Sequence, residues 1–414
     1  MKVSLQPSLN DPNLDPNQES NQRQLSISVS AVPDPFEGQV PMNLCLILDH
    51  SGSMNGQPLE TVKQAAKELI DRLNVGDRIS VVAFDHRAKV LVPNQDLTDP
   101  DGIKKKIDGL RCSGGTAIDE GIKLGIEELG KGKQDRISQG FLLTDGENEH
   151  GDNKRCLKLA KLATEYKLTI NSLGFGDDWN QDILEKIADA GGGALGYIEY
   201  PEQAIAEFGR LFTRMQSVGL TNAYLLFSLF PYVRLAQLKP VAQVYPDTIE
   251  LPILPKGEQL AVRLGDLMKD TERIILANLY VDVGNLPISK QAIAQVQVRY
   301  DDPALGIEKL YSQPVLVEAN VLGDYRPTSD PKVQKHILAL AKYRQTQIAE
   351  TKLQQGDRAG AATMLQTAAK TALQMGDNSA ATVLQGSATR LQSGEELSDS
   401  ERKKTRIASK TTLK

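Results

Sequence analysis

The chain has 414 residues, too many for one ordinary core, so two or three domains are expected. Its 48 Lys and Arg against 53 Asp and Glu leave a formal charge of −5, which speaks against broad nucleic-acid binding by the body of the protein. No apolar run approaches the roughly 18 residues a membrane helix requires, and an odd set of 3 cysteines (Cys45, Cys112, Cys156) argues against a disulfide framework and for a reducing cytoplasm.

The opening "MKVSLQPSLNDPNLDPNQESNQRQ" lacks the apolar centre of a secretory signal, and residues 1–23 read as a polar, disordered arm. Residues 24–38 alternate Leu25, Ile27 and Val29 with polar residues, a half-buried strand without a neighbour in sequence to pair with. It is expected to join a β-sandwich further along. Over 39–217, strands and helices take turns. "MNLCLILD" is a strand, and the helix "PLETVKQAAKELIDRL" sets Val62, Ala66, Leu69, Ile70 and Leu73 on one face. "RISVVAFD" and "AKVLVP" flank a tight turn at 85–87. "TAIDEGIKLGIEELG" is a helix, "GFLLTDG" a strand, "NKRCLKLAKLATEYK" a helix, "LTINSLGFG" a strand and "NQDILEKIADA" a helix. "ALGYIEY" closes the sheet, and "PEQAIAEFGRLFTRMQ" covers it with Ile205, Phe208, Leu211, Phe212 and Met215.

Strands apolar throughout and separated by helices predict a doubly wound, mostly parallel sheet with helices on both faces. From 218 to 325 the helices stop, and short strands punctuated by Pro, Gly and Asp predict an antiparallel β-sandwich. Residues 330–394 are helical, with Gly-Asp pairs at 356 and 376, a short stack like tetratricopeptide units but too few for a repeat array. Their Ala, Leu and Gln stripes read as self-packed core that leaves room for a second partner. Residues 395–414, including "ERKKTRIASKTTLK", read as a basic, disordered tail.

In an open α/β sheet, ligands bind beyond the carboxyl ends of the strands. Three separate segments deliver oxygen there: Asp49, Ser51 and Ser53 in "DHSGS", Thr116 in "CSGGTAID", and Asp145 in "LLTDGE". Carboxylates and hydroxyls without sulfur or imidazole at ligand spacing suit a hard cation such as Mg²⁺, with Mn²⁺ or Ca²⁺ as alternatives. A divalent ion also turns the repulsion of two close carboxylates into attraction. A hydrogen-bonded helix cap explains Ser51 and Asp49 but neither Thr116 nor Asp145. Asp49, His50 and Ser51 are adjacent and cannot orient one another as a hydrolytic triad. "GLRCSGGT" lacks the Lys and spacing of a phosphate loop. His50, His86 and His150 read as solvated loop histidines, Cys112 as a plain loop cysteine, and Trp179 either as a contact residue in solvent or as a cap on the sheet end.

Together, "DHSGSM", "GGT" and "TDG" resemble the von Willebrand factor A (VWA) domain and its metal-ion-dependent adhesion site over roughly residues 40–213. The branch is similar to a bacterial one that also resembles inter-alpha-trypsin inhibitor heavy chains and calcium-activated-chloride-channel-like proteins. The resemblance implies that Ser51, Ser53 and Thr116 bind the ion directly or nearly so, that Asp49 and Asp145 act through water, and that a partner's Asp or Glu fills the open position. It further implies a movement of the last helix on partner binding, here passed to residues 218–320. The expected function is non-enzymatic, ion-mediated capture of another protein, with His50, Asn55, Glu147 and Trp179 setting specificity. The alternative is an accessory subunit or scaffold for an ATPase, kinase or phosphatase complex. A hydrolase would need Glu147 or His150 as general base.

Overall fold

The computed structural model describes residues 1–33, 40–145, 147–175, 180–198, 201–257, 259–269 and 271–410. The first 32 residues hold three strands, β1 (Lys2–Leu9), β2 (Asn13–Leu14) and β3 (Ser20–Val32). This corrects the disordered arm expected over 1–23. β1 pairs antiparallel with β3, from Lys2 opposite Val32 to Leu9 opposite Leu25. The polar residues that suggested an unstructured arm tie the chain to a distant segment. Asp11 accepts hydrogen bonds from Tyr325 (2.7 Å) and Thr328 (3.0 Å), and Asn21 receives the Asp15 N–H at 2.9 Å.

The α/β unit follows as β4 (Met42–Asp49), α1 (Gln57–Asp71), β5 (Arg78–Phe84), β6 (Ala88–Asp96), α2 (Pro100–Asp108), α3 (Ile118–Gly132), β7 (Ile137–Thr144), α4 (Asn153–Glu165), β8 (Thr169–Phe175), α5 (Gln181–Gly191), β9 (Gly192–Ile198) and α6 (Pro201–Gln216). The sheet order is β6-β5-β4-β7-β8-β9, parallel except for β6. Every residue of β4 is buried, and its side chains alternate between two cores. Leu44, Leu46 and Leu48 meet α1, α2 and α6, whereas Cys45 and Ile47 meet α3, α4 and α5. The space is tight. A Cβ on Gly125 of α3 would lie 2.4 Å from Ile47 Cδ1. In α6, Phe208, Leu211 and Phe212 are buried, a gain of about 2 kcal/mol each. Ile205, expected beside them, is 40% exposed. The α2 helix was not expected from sequence; Asp99 caps it by accepting the Gly102 N–H at 2.9 Å, and Pro100 stands in its first turn.

The sandwich comprises β10 (Val218–Leu229), β11 (Val233–Leu235), β12 (Val241–Tyr245), β13 (Ile249–Glu250), β14 (Ile253–Lys256), β15 (Gln259–Met268), β16 (Arg273–Asp282), β17 (Lys290–Asp302), β18 (Ile307–Tyr311) and β19 (Val315–Val321). One sheet runs β1-β3-β16-β12-β13, and the other runs β14-β15-β10-β17-β19-β2. β3 pairs antiparallel with β16, so the α/β unit is inserted between two strands of the sandwich. Leu25, Ile27 and Val29 of β3 share a core with Leu225, Phe227, Val296 and Val298 from the facing sheet.

Four helices finish the described chain: α7 (Pro331–Gln354), α8 (Arg358–Gln374), α9 (Asn378–Gln392) and α10 (Asp399–Lys410). The Gly-Asp pairs serve as joints. Gly356 and Gly376 take φ of 80° and 79°, and Asp357 and Asp377 accept the N–H of Gly360 and Ala380 at the next helix start. Val333, Ala339 and Leu340 of α7 cover the outer face of β12 and β16. Of the tail expected to be disordered over 395–414, residues 399–410 instead form α10, whose basic side chains meet the acidic face of α5, and 411–414 lie outside the described residues. Lys410 Nζ lies 3.0 Å from Glu185 and 2.8 Å from Asp189, and Arg406 lies 2.6 Å from Glu185. Charge complementarity with a helix more than 200 positions away orders this segment.

Candidate metal centre

β4 ends at Asp49, and the chain turns through a single 3₁₀ turn, Gly52–Met54, into α1. Asp49 is fully buried and held on both oxygens: the Ser51 N–H donates to Oδ1 at 2.8 Å, and the Thr144 hydroxyl donates to Oδ2. Ser51 Oγ and Ser53 Oγ lie 3.0 Å apart, and Ser53 Oγ donates to Asp145 Oδ1 at 2.8 Å. Asp49, Ser51, Ser53 and Asp145 are thus linked by hydrogen bonds at the ends of β4 and β7.

Thr116 is buried on the neighbouring loop, which is stitched to the same turn. Gly52 N–H donates to Gly114 O at 3.0 Å, and Ser113 N–H to His50 O at 2.9 Å. Asp85 holds the other side, receiving the Ser113 hydroxyl at 2.7 Å while its carbonyl receives the Ala117 N–H at 2.8 Å. Gly114 has φ of 65°, and a Cβ there would lie 2.2 Å from His86 Nδ1. Sequence reasoning missed two supporting side chains, Thr144 and Asp85. Each stands at or just past the end of a buried strand, the same signal that singled out Asp49.

Burial pushes the Asp49 carboxyl up to about 6 against the hydrogen bonds from Thr144 and Ser51, and the charge of Asp145 adds to the rise. His50 corrects an expectation. In place of a solvated, specificity-setting imidazole, the structure has a ring that is only 3% exposed, with its Nδ1 3.0 Å from Arg111 O. Burial lowers its pKa. His86 and His150 do face solvent. Burial and the charge of Asp145 raise the Cys112 thiol, so no reactive thiolate is prepared there. Asn55 and Glu147 are exposed on the rim, and Trp179 lies outside the described residues.

Among the described residues, no three His, Cys, Asp or Glu side chains gather as metal ligands. An ion held here therefore depends on hydroxyls. Two carboxylates and three hydroxyls, all oxygen, fit a hard cation and do not suit a soft one.

Residues 43–204 match the family model of the von Willebrand factor type A domain, and residues 331–414 match that of the Sll0103-like C-terminal alpha-helical domain. Protein sll0103 of Synechocystis sp. is 59% identical over 413 residues, covering 100% of this chain and 98% of that one. The chain belongs to the sll0103 family. Within this sll0103-family protein, the α/β unit is a VWA domain, generally a module for protein interaction. Inter-alpha-trypsin inhibitor heavy chain H2 of Mesocricetus auratus is 27% identical over 201 residues, 44% of this chain but 20% of that protein. Two solved structures share the fold across 99% of the chain. A von Willebrand factor type A protein from Catenulispora acidiphila superimposes over 97% of its length with a TM-score of 0.83 at 18% identity. The ArnB paralog VWA2 from Sulfolobus acidocaldarius does so over 98% of its length at 0.59 and 15%.

Proposed function

We propose that this sll0103-family protein captures another protein through a divalent cation, Mg²⁺ or else Mn²⁺ or Ca²⁺, held by Asp49, Ser51, Ser53, Thr116 and Asp145. The observation that carries the reading is the hydrogen-bonded chain Ser51–Ser53–Asp145 beside the buried Asp49. Ser51, Ser53 and Thr116 would hold the ion, and Asp49 and Asp145 would orient its water. The ion supplies positive charge and a coordination position for a partner's Asp or Glu. One such bond is weak in water, so rim contacts at Asn55 and Glu147 add affinity.

Titration calorimetry tests this. The intact chain is expected to take up Mg²⁺ or Mn²⁺, and Asp145→Ala to take up neither; uptake equal in both would end the reading. The protein is not proposed as an enzyme, because Glu147 and His150, the two candidate bases, are solvent-exposed rather than positioned. Phosphatase and esterase assays against Glu147→Gln check that point. A cytoplasmic location is supported by the three free cysteines, of which Cys45 and Cys156 are buried. No helix among the described residues is long and apolar enough to cross a membrane. The alternative, an accessory or scaffold subunit of an ATPase, kinase or phosphatase complex, is favoured by the helical module standing beside the metal end, a second surface for another subunit.

A further inference from the structure

The sheet order puts β5 and β6 on one side of β4 and β7 on the other, so the rim of the candidate metal end has two flanks of different charge. Beyond β7 stand the exposed Glu147 and Glu149, and Glu147 lines a cleft between the VWA domain and the helical module. Beyond β5 stand three exposed cations: Arg87 in the turn, Lys89 at the start of β6, and Arg111 on the loop that leads to Thr116. They surround the segment carrying Thr116. Arg87 lines a hollow with Ala117 and His150, the charge of Lys89 acts on His50, and the His50 carbonyl receives the N–H of Ser113, two residues after Arg111.

Acids stand on this flank too, but the fold already engages them. Asp85 receives the Ser113 hydroxyl and the Arg87 N–H, Glu60 lies 2.7 Å from Lys63, and Asp108 lies 2.8 Å from Lys67. Asp119 and Glu120 share Arg155, and Asp152 accepts the N–H groups of Lys154 and Arg155. Among the described residues, Arg87, Lys89 and Arg111 have no ion-pair partner. Arg111 is nevertheless held in place: its Nη1 donates to Asp108 O at 3.0 Å and to Leu110 O at 2.9 Å, neutral acceptors that fix the guanidinium without cancelling its charge. Asp49 and Asp145 would balance a divalent ion, so a partner's carboxylate and any acids beside it bring negative charge that this flank can offset. We infer that the site takes an acidic segment of its partner, with one carboxylate at the ion and further carboxylates on Arg87, Lys89 and Arg111, on the side away from Glu147. The first contact rests on the proposed metal-site reading; the three cations attract the other carboxylates with or without an ion.

The probe is a fluorescein-labelled hexaglutamate peptide, its binding to the full chain followed by anisotropy in Mg²⁺ at low salt. Lys89→Gln should weaken binding about twofold, and removal of all three charges (Arg87→Gln, Lys89→Gln, Arg111→Gln) about tenfold, the scale of exposed charge pairs. Lys370→Gln takes the same charge from an exposed site on α8 and should change nothing; an equal loss there would mean general attraction and overturn the proposal. Calorimetry separates recognition from architecture. Removing positive charge beside a cation should leave Mg²⁺ uptake equal or tighter, whereas a structural role for these side chains would weaken Mg²⁺ and peptide together and overturn the proposal. Binding that needs Mg²⁺ but ignores all three substitutions overturns the cationic flank and leaves the metal reading standing. Binding that persists in chelator yet falls in the variants supports the flank and counts against the metal reading. No binding of hexaglutamate, or binding of an oligothymidylate of matched charge as tightly or more tightly, overturns the acidic segment. Should the triple variant fail to fold, the three single variants, each at an exposed position, carry the same test.

Discussion

Gly114 shows how much of the candidate metal centre depends on a residue without a side chain. Its positive φ and the 2.2 Å approach to His86 let the loop carrying Thr116 close on Gly52. Gly114→Ala is expected to weaken Mg²⁺ uptake at least tenfold in calorimetry while far-ultraviolet dichroism stays the same; wild-type affinity would refute this close fit. Glu350 allows a pH test. Burial raises its carboxyl from 4.5 to about 6 against the attraction of Arg406, so the folded state holds the proton more tightly than the unfolded one. Its contribution to stability is complete below about pH 4.5 and is lost as pH rises through about 6. Glu350→Gln mimics the protonated form, so its melting temperature should match wild type at low pH and exceed it increasingly toward pH 7. A gap independent of pH would contradict this. The five oxygen-bearing residues were legible because a carboxylate or hydroxyl closing an apolar strand is costly to bury unless a ligand or a hydrogen bond compensates it. The burial of His50 was not, since an imidazole serves a wet loop or a packed one equally well.

Among the elements, α10 ties the helical module to the VWA domain. Lys342 of α7, with no exposed surface, reaches both Asp377 at 3.0 Å and the Ala408 carbonyl of α10 at 2.9 Å. Lys410 and Arg406 then fasten α10 to Glu185, whose side chain is 4% exposed. Cutting Lys410 back to Ala would leave the buried Glu185 and the half-buried Asp189 with less compensation, a loss of about 3 kcal/mol. Urea unfolding should show that loss, and trypsin should cut α10 faster than in wild type. An unchanged midpoint would mean that solvent replaces the pair at no cost. The basic composition of 395–414 was visible in sequence, but the acidic stripe Asp182, Glu185 and Asp189 that orders it belongs to another domain. β1 was missed for the same reason: Pro7 and the polar residues around it favour a strand only once β3 lies alongside.

For the whole molecule, the insertion places both ends of the VWA domain on the sandwich. Asp266 of β15 accepts hydrogen bonds from Gln139 (2.7 Å) and Thr169 (2.8 Å) at the base of the α/β sheet, and Arg214 of α6 lies 3.2 Å from Asp247. α6 runs into β10 through Ser217, whose carbonyl accepts the Lys269 N–H at 2.7 Å. A shift of α6 on partner binding would be felt along β10 and β15. Hydrogen exchange over 218–229 and 259–268 should therefore change when Mg²⁺ and a bound peptide are both present. Identical exchange with and without them would disprove the relay.

Local sequence determined the alternating strands and helices of the VWA domain, the strand-rich stretch after it, and the set of oxygen-bearing residues that makes up the candidate site. Each of these rests on periodicity or on residue type at a strand end, quantities carried within some ten neighbouring residues. Tertiary structure alone decided the pairing of β1 with β3 and of β3 with β16, the folding of α10 onto α5, and the cleft beside the candidate metal end. In those places, segments with little local preference are ordered by partners distant in sequence, for β3 and α10 more than 200 residues away, and the closure entropy of such long loops is recovered only when the complete set of contacts forms.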